Sequence, residues 1–395
     1  MLIQLGPLLS EGGPKRPRGK RPPVLHAARS EPSETVAAEA AEALAGGDED
    51  ASLSRRALEL AADLTTPSRA IYWLDLTLTA VVAWSTLWLA ADAAPVWIRL
   101  AAGVVAVFSL YRGVSFIHEL THLQPGEIPG FKLAWNAVIG VPFLAPSFLY
   151  EGVHVLHHVK DRYGTAGDPE YLPLSRSTPL RIAGFVAAAL LAPVAMLVRF
   201  GVAAPLSLLA PALRRSVVER MSAMTINPAF KRGDAPAARR PAWLAQEIAC
   251  WLWCWTVVGL TVTGALPERY LLTGLAVLAL VALVNQLRTA GAHAWTSDGE
   301  PMSVLEQFKD SVNMPPPAML PMVWAPVGPR YHALHHLLPR LPYHSLGEAH
   351  RRLVAAVPEA SAYHAPTHRN LAHALGRLLA RARAATSNQT AAPGA

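Results

Sequence analysis

Eight of the fifteen histidines in this 395-residue chain fall into three tight clusters. The first is His118-Glu-Leu-Thr-His122, the second His154-Val-Leu-His157-His158 and the third His332-Ala-Leu-His335-His336. Positions i, i+3 and i+4 share one helix face, so the second and third clusters each present three imidazoles from a single turn. Imidazole nitrogen is a ligand for iron, copper, zinc and nickel. Eight imidazoles are too many for one tetrahedral zinc. A nitrogen-rich set of eight or nine suits two irons that keep positions open for oxygen. His293, at the end of a later apolar run, is the candidate ninth ligand. Thiolates cannot build such a site, because only Cys250 and Cys254 are present; four apart in an apolar run, they read as packing residues.

Clusters so far apart in sequence need elements that bring them to one place. The chain is 52% apolar and only 16% charged, against roughly 25% charged in ordinary soluble domains. Its mean hydropathy is +0.25, and the deficit of charge points to lipid. Residues 71–91 carry one charge, Asp75, and are long enough to span a bilayer. A short link, Asp92-Ala-Ala-Pro95, leads to a second apolar run that passes Arg112 and continues to His118. A later pair repeats the design: 244–266, a link with Glu268 and Arg269, then 271–284, Arg288 and His293. Two stretches broken by proline, 133–150 and 182–198, must each return to the side they left if all histidines are to share a site. They are therefore expected to be interfacial or re-entrant.

The expected fold class is all-α: a multi-pass integral membrane protein with four spanning helices in two hairpins and a cytosolic helical cap holding the metal site. Lys and Arg number 13 in 118–243 and 10 from Arg288 onward, with only Arg269 in the second hairpin turn. The excess of positive charge puts the metal site and both termini in the cytosol, and in a bacterium the membrane would be the cell inner membrane. The net charge of +7 suits anionic headgroups, and the basic residues flank apolar runs without forming a stripe for nucleic acid. Composition divides the chain into a disordered tail over 1–65, a membrane domain over 66–380 and a disordered tail over 381–395.

HELTH also fits H-E-x-x-H, in which Glu119 would be the general base of a zinc protease. That reading leaves both HxxHH clusters without a role. A metal transporter would need ligands near the midplane, and these runs are nearly free of them.

HELTH, HVLHH and HALHH, in this order around two membrane hairpins, resemble the three histidine boxes of the membrane fatty acid desaturase superfamily. The similarity covers roughly residues 70–355 and extends to HVLHHVKDRYGTAGDPEYLPL and YHALHHLLPRLPYHSLGEAHRRL. It implies a non-haem di-iron centre, bound by the eight box histidines with His293, that uses O₂ to attack an unactivated acyl chain. DPEY and LPYH after the second and third boxes favour desaturation of an acyl lipid. Hydroxylation or ketolation of a lipid or alkane is the alternative. No haem motif or glycine-rich nucleotide fingerprint is present. Electrons are therefore expected from an external ferredoxin, rubredoxin or cytochrome b5 type of donor with its reductase. Asn285, two turns before His293, is a candidate to hold a water. Asp161, Asp168, Glu170 and Glu306 are candidates to fix imidazole tautomers by hydrogen bonding. His344 and His350 read as structural, and His26, His364, His368 and His373 as ordinary surface or core residues.

Overall fold

The structure, a computed structural model, describes residues 52–391. Every element among them is helical; no strand forms, only isolated bridges such as that between His293 and Ser311. Helix α1 covers 52–61, α2 Arg69–Asp92, α3 Val96–His122, α4 Arg240–Val262 and α5 Glu268–Ala290. The α2/α3 and α4/α5 hairpins are the two expected from the sequence.

Several charges inside these helices are paired. Asp75 of α2 takes Arg112 Nε of α3 at 2.8 Å and the Tyr343 hydroxyl at 2.7 Å. The side chain of Ser68 caps α2 by accepting from the Ile71 amide. Leu74, Leu78, Leu100, Leu252 and Leu272 are exposed, a set of apolar side chains that suits lipid and not water. Arg269 Nη2 donates to Asp92 Oδ1 at 2.5 Å. Both hairpin turns therefore lie at one end of the bundle. His122 and His293, at the ends of the returning helices, lie at the other.

Five helices are long and apolar enough to cross a membrane, one more than the four expected from the sequence; the fifth is Pro179–Ser207. Residues 123–239 leave α3 and enter α4 at the same end of the bundle, so this segment makes an even number of crossings. The fifth helix is also interrupted, by a 3₁₀ turn at Ala188–Leu191 and a π segment at Val198–Ala203. Its Phe185 carbonyl accepts from Gln286 near the end of α5, and its Arg199 bonds Glu247 Oε1 at 2.5 Å, two turns into α4. Arg214, beyond it, returns to the other oxygen of the same Glu247. These contacts describe a segment that turns back.

Both expected tails need correction. Leu53, Ala57 and Ala61 of α1 are buried in a cluster with Leu346, Ala349 and Leu353 of helix α6 (Leu346–Ala356). Arg352 of α6 also bonds Asp63 and the Leu60 carbonyl. At the other end, helix α7 spans Leu371–Ala391, with Ala382 buried and Arg381 on the Ala294 carbonyl at 2.9 Å. Composition misled because both segments are rich in Ala and Arg, yet each places a stripe of small apolar residues on a packed face. The rest of the expected tails, with His26, lies outside the described residues.

Candidate metal centre

The nine histidines converge in two groups, one of His118, His122, His154, His158 and His335, the other of His157, His293, His332 and His336. Within each group the facing ligand atoms lie within 4.8 Å of one another. The HxxHH spacing explains the sorting. The i and i+4 members of the second box join the first group while its i+3 member, His157, joins the second. The third box does the reverse: His332 and His336 join the second group and His335 the first. Each short box helix therefore feeds both groups, and HELTH completes one as His293 completes the other.

Local structure fixes these turns. Asn313, fully buried, accepts from the Leu334 amide at 3.1 Å and so holds the third box helix (His332–Leu337). Gly164 has φ +73°, and a Cβ there would lie 2.7 Å from the side chain of Ser297. Only glycine lets the chain fold back at this point, and its amide then donates to Asp168 Oδ2 at 2.9 Å.

Outer hydrogen bonds orient the imidazoles. Asp168, with no exposed surface, takes His157 Nδ1 at 2.9 Å. Glu170 takes His154 Nδ1 at 2.9 Å and the Tyr150 hydroxyl at 2.8 Å. His293 Nδ1 meets the Tyr163 hydroxyl at 2.9 Å, which donates onward to Asp310 at 2.9 Å. A proton held at each Nδ1 leaves the Nε2 lone pair directed inward.

Burial holds the imidazoles of His154, His158, His293, His332, His335 and His336 well below their ordinary value, which keeps them neutral and able to bind a metal. Burial also pulls on His157, but the carboxylates around it, Asp168 first, outweigh it and raise its value. Glu170 is pushed up to about 7, chiefly by burial.

The donor set fits two metal ions. Both ring nitrogens of His118, and Nε2 of His122 and His157, are buried without a hydrogen-bond partner among the described residues, a costly state unless something else binds them. Nε2 pairs face each other at 2.9 Å (His154 and His158), 3.0 Å (His293 and His332) and 3.1 Å (His158 and His335). Adjacent nitrogens on one metal, each at about 2.1 Å, would be spaced about 3 Å apart.

The remaining candidates separate. Asp161 is exposed, and Glu306 closes a capping box with Ser303 at the start of helix Val304–Asp310; neither reaches a histidine. His350 bonds the Tyr363 hydroxyl at 2.8 Å, and His344 accepts from the Ser68 amide at 3.0 Å, as structural residues do. Asp310, Tyr150 and Tyr163 were not foreseen from the sequence; the two tyrosines lie close to the second box, whereas Asp310 carries no such signal. Glu119 accepts from the Tyr72 hydroxyl at 2.5 Å and the Tyr343 amide at 3.1 Å. It ties α2, α3 and the segment after the third box together, a bracing role unlike that of a protease base.

Between the two hairpins, a cavity reaches the histidines. Tyr111, Phe143, Met196, Leu278 and Val281 line its apolar part, and His118, His154, His293 and His332 its end. Asn285, Arg288 and Thr289 of α5 also face it.

The fold and the paired histidine groups agree with the sequence comparisons. The fatty acid desaturase family matches residues 93–368, and the chain belongs to that family. One relative, a protein named "Ceramide hydroxylase" from Caulobacter vibrioides (strain NA1000 / CB15N), is 52% identical over 334 residues. The match covers 85% of this chain and 95% of that protein.

Proposed function

We propose that this protein is an O₂-dependent lipid hydroxylase acting on a ceramide-type substrate, with two irons bound by His118, His122, His154, His158 and His335 on one side and His157, His293, His332 and His336 on the other. The irons, when bound, supply the activation of O₂ needed to attack an unactivated C–H bond. One oxygen atom enters that bond as a hydroxyl. The other leaves as water, with two protons and two electrons from an external ferredoxin, rubredoxin or cytochrome b5 type of donor and its reductase.

The observation that carries this reading is the relation to a ceramide hydroxylase across nearly the whole length of that protein. It favours oxygen insertion over desaturation, the reaction suggested by the box-flanking residues, since the same ligand set supports either outcome. The cavity has the form that such chemistry needs. Its apolar walls hold a chain still while its end opens on His118, His154, His293 and His332. The excess of Lys and Arg over 118–243 and from Arg288 onward supports a cytosolic metal site in an inner membrane.

Incubation of the iron-loaded protein, an electron donor and ceramide under ¹⁸O₂ tests the reaction. The expected product is heavier by one labelled oxygen. A product that instead lacks two hydrogens and carries no label would restore desaturation, and zinc without iron in the purified protein would remove the di-iron reading altogether.

A further inference from the structure

Residues Leu278, Val281, Ala282, Asn285, Arg288 and Thr289 all face the cavity. Their spacing of three and four residues marks one continuous face of α5. Along that face the chemistry changes: the first half is apolar, and the last turn before His293 carries an amide, a guanidinium and a hydroxyl. From Leu278 to Arg288 the helix advances about 15 Å.

Arg288 is the unusual member. Its Nε is buried with no hydrogen-bond partner, and no carboxylate forms an ion pair with it among the described residues. Arg112 and Arg199, the other arginines placed deep in the helical bundle, are matched by Asp75 and Glu247. A guanidinium with unused donors beside an apolar cavity is costly unless a ligand supplies oxygen acceptors. The same cavity presents Glu170 as an acceptor. Donor and acceptor together match a group that both accepts and donates, such as an amide or a hydroxyl.

We propose that Arg288, with Thr289 beside it, seats the amide and hydroxyl oxygens of a ceramide-type lipid at the histidine end of the cavity, while Leu278 and Val281 carry its hydrocarbon. The inference rests on the reading of the protein as a lipid hydroxylase and adds to it. Arg288 is a positioning residue: by fixing the headgroup, it sets attack to carbons near the polar end of the lipid and not at mid-chain.

The test is equilibrium binding of a short-chain fluorescent ceramide to the purified full-length protein, with competition by unlabelled ceramide and by the free fatty acid of the same chain length. Arg288→Met is expected to weaken ceramide binding roughly 10- to 100-fold, the range for a hydrogen bond to a charged group, and Arg288→Lys to recover part of it. Thr289→Val, a milder change that keeps the charge, is expected to weaken it a few-fold. Mass spectrometry of the Arg288→Lys product should find hydroxylation spread over more than one carbon, with KM raised more than kcat is lowered. Ceramide affinity within twofold of wild type in both Arg288→Met and Thr289→Val overturns the seat, as does tighter binding of the free acid than of ceramide. The two readings fail separately. Hydroxylated ceramide formed with unchanged affinity in the variants sinks the seat alone, and Arg288-dependent binding without hydroxylation sinks the reaction alone.

Discussion

The five-histidine and four-histidine groups sit side by side but are built differently. The first takes two imidazoles from α3, the end of a long helix, and His122 opens onto a cavity of about 600 Å³ with Arg69, Glu127 and Arg340 on its walls. The second takes its members from the two short box helices and from the loop after α5, and is braced by Asp168 and by the Tyr163–Asp310 pair, all buried. A regular helix holds its side chains in place by its own backbone hydrogen bonds. A loop needs buried carboxylates to do so. The first group also has a spare ligand, whereas the second has only four imidazoles.

This contrast is most exposed to His157→Ala and His335→Ala, which remove one imidazole from each group. Both should cost product formation more than the roughly 10- to 100-fold typical of changes beyond the ligands themselves. Iron content should separate them. His157→Ala leaves three imidazoles and should lose close to half of the bound iron, while His335→Ala leaves four and should retain more. Equal losses, measured as iron per chain, would mean that the groups do not behave as the geometry divides them.

Asp168→Asn comes next. Asp168 is the main partner of His157 Nδ1, so its loss should weaken metal retention roughly 10- to 100-fold against a chelator. Glu170→Gln should do less, because Gln still accepts from Tyr150 and His154 itself belongs to the larger group. A larger effect at Glu170 would reverse the order of dependence proposed for the two groups.

The histidine boxes and the paired hairpins were legible in the sequence because each depends on spacing or hydropathy within consecutive elements. The bracing was not. Asp310 lies 22 residues from the nearest box histidine, His332, and its role arises only where helix Val304–Asp310 docks beside His293. Glu119 reads as a protease base in HELTH, and only contacts with Tyr72 and Tyr343, from distant segments, assign its carboxylate elsewhere. The packed faces of α1 and α7 were hidden in the same way, by composition that resembles a tail.

Acid should act on the metal-free protein with a definite sign. Six imidazoles, His154, His158, His293, His332, His335 and His336, have values lowered by burial in the fold. Below about 6.5 the unfolded chain binds protons that the folded chain refuses, so stability falls as pH falls. His157 and Glu170 are raised and oppose this, but they are outnumbered. Melting temperature in excess chelator should decline between about pH 7.5 and 5. Asp168→Asn should steepen that decline, since it removes the main carboxylate opposing the burial of His157. A flat profile would show that the cluster admits water and protons, contrary to its burial.

The smallest effect belongs to Glu306, which lies near the second group in sequence and outside it in space. Its carboxylate accepts from the Ser303 amide at 2.6 Å, and the Ser303 hydroxyl accepts from the Glu306 amide at 3.2 Å. Glutamine serves equally in such a box, so Glu306→Gln should leave melting temperature and iron content unchanged. Glu306→Ala should cost about 0.5–1 kcal/mol of stability, with iron content still unaffected. If both variants lost iron instead, Glu306 would act through the histidines as its neighbourhood in the sequence first suggested, and the boundary drawn around the four-histidine group would have to move outward to include it.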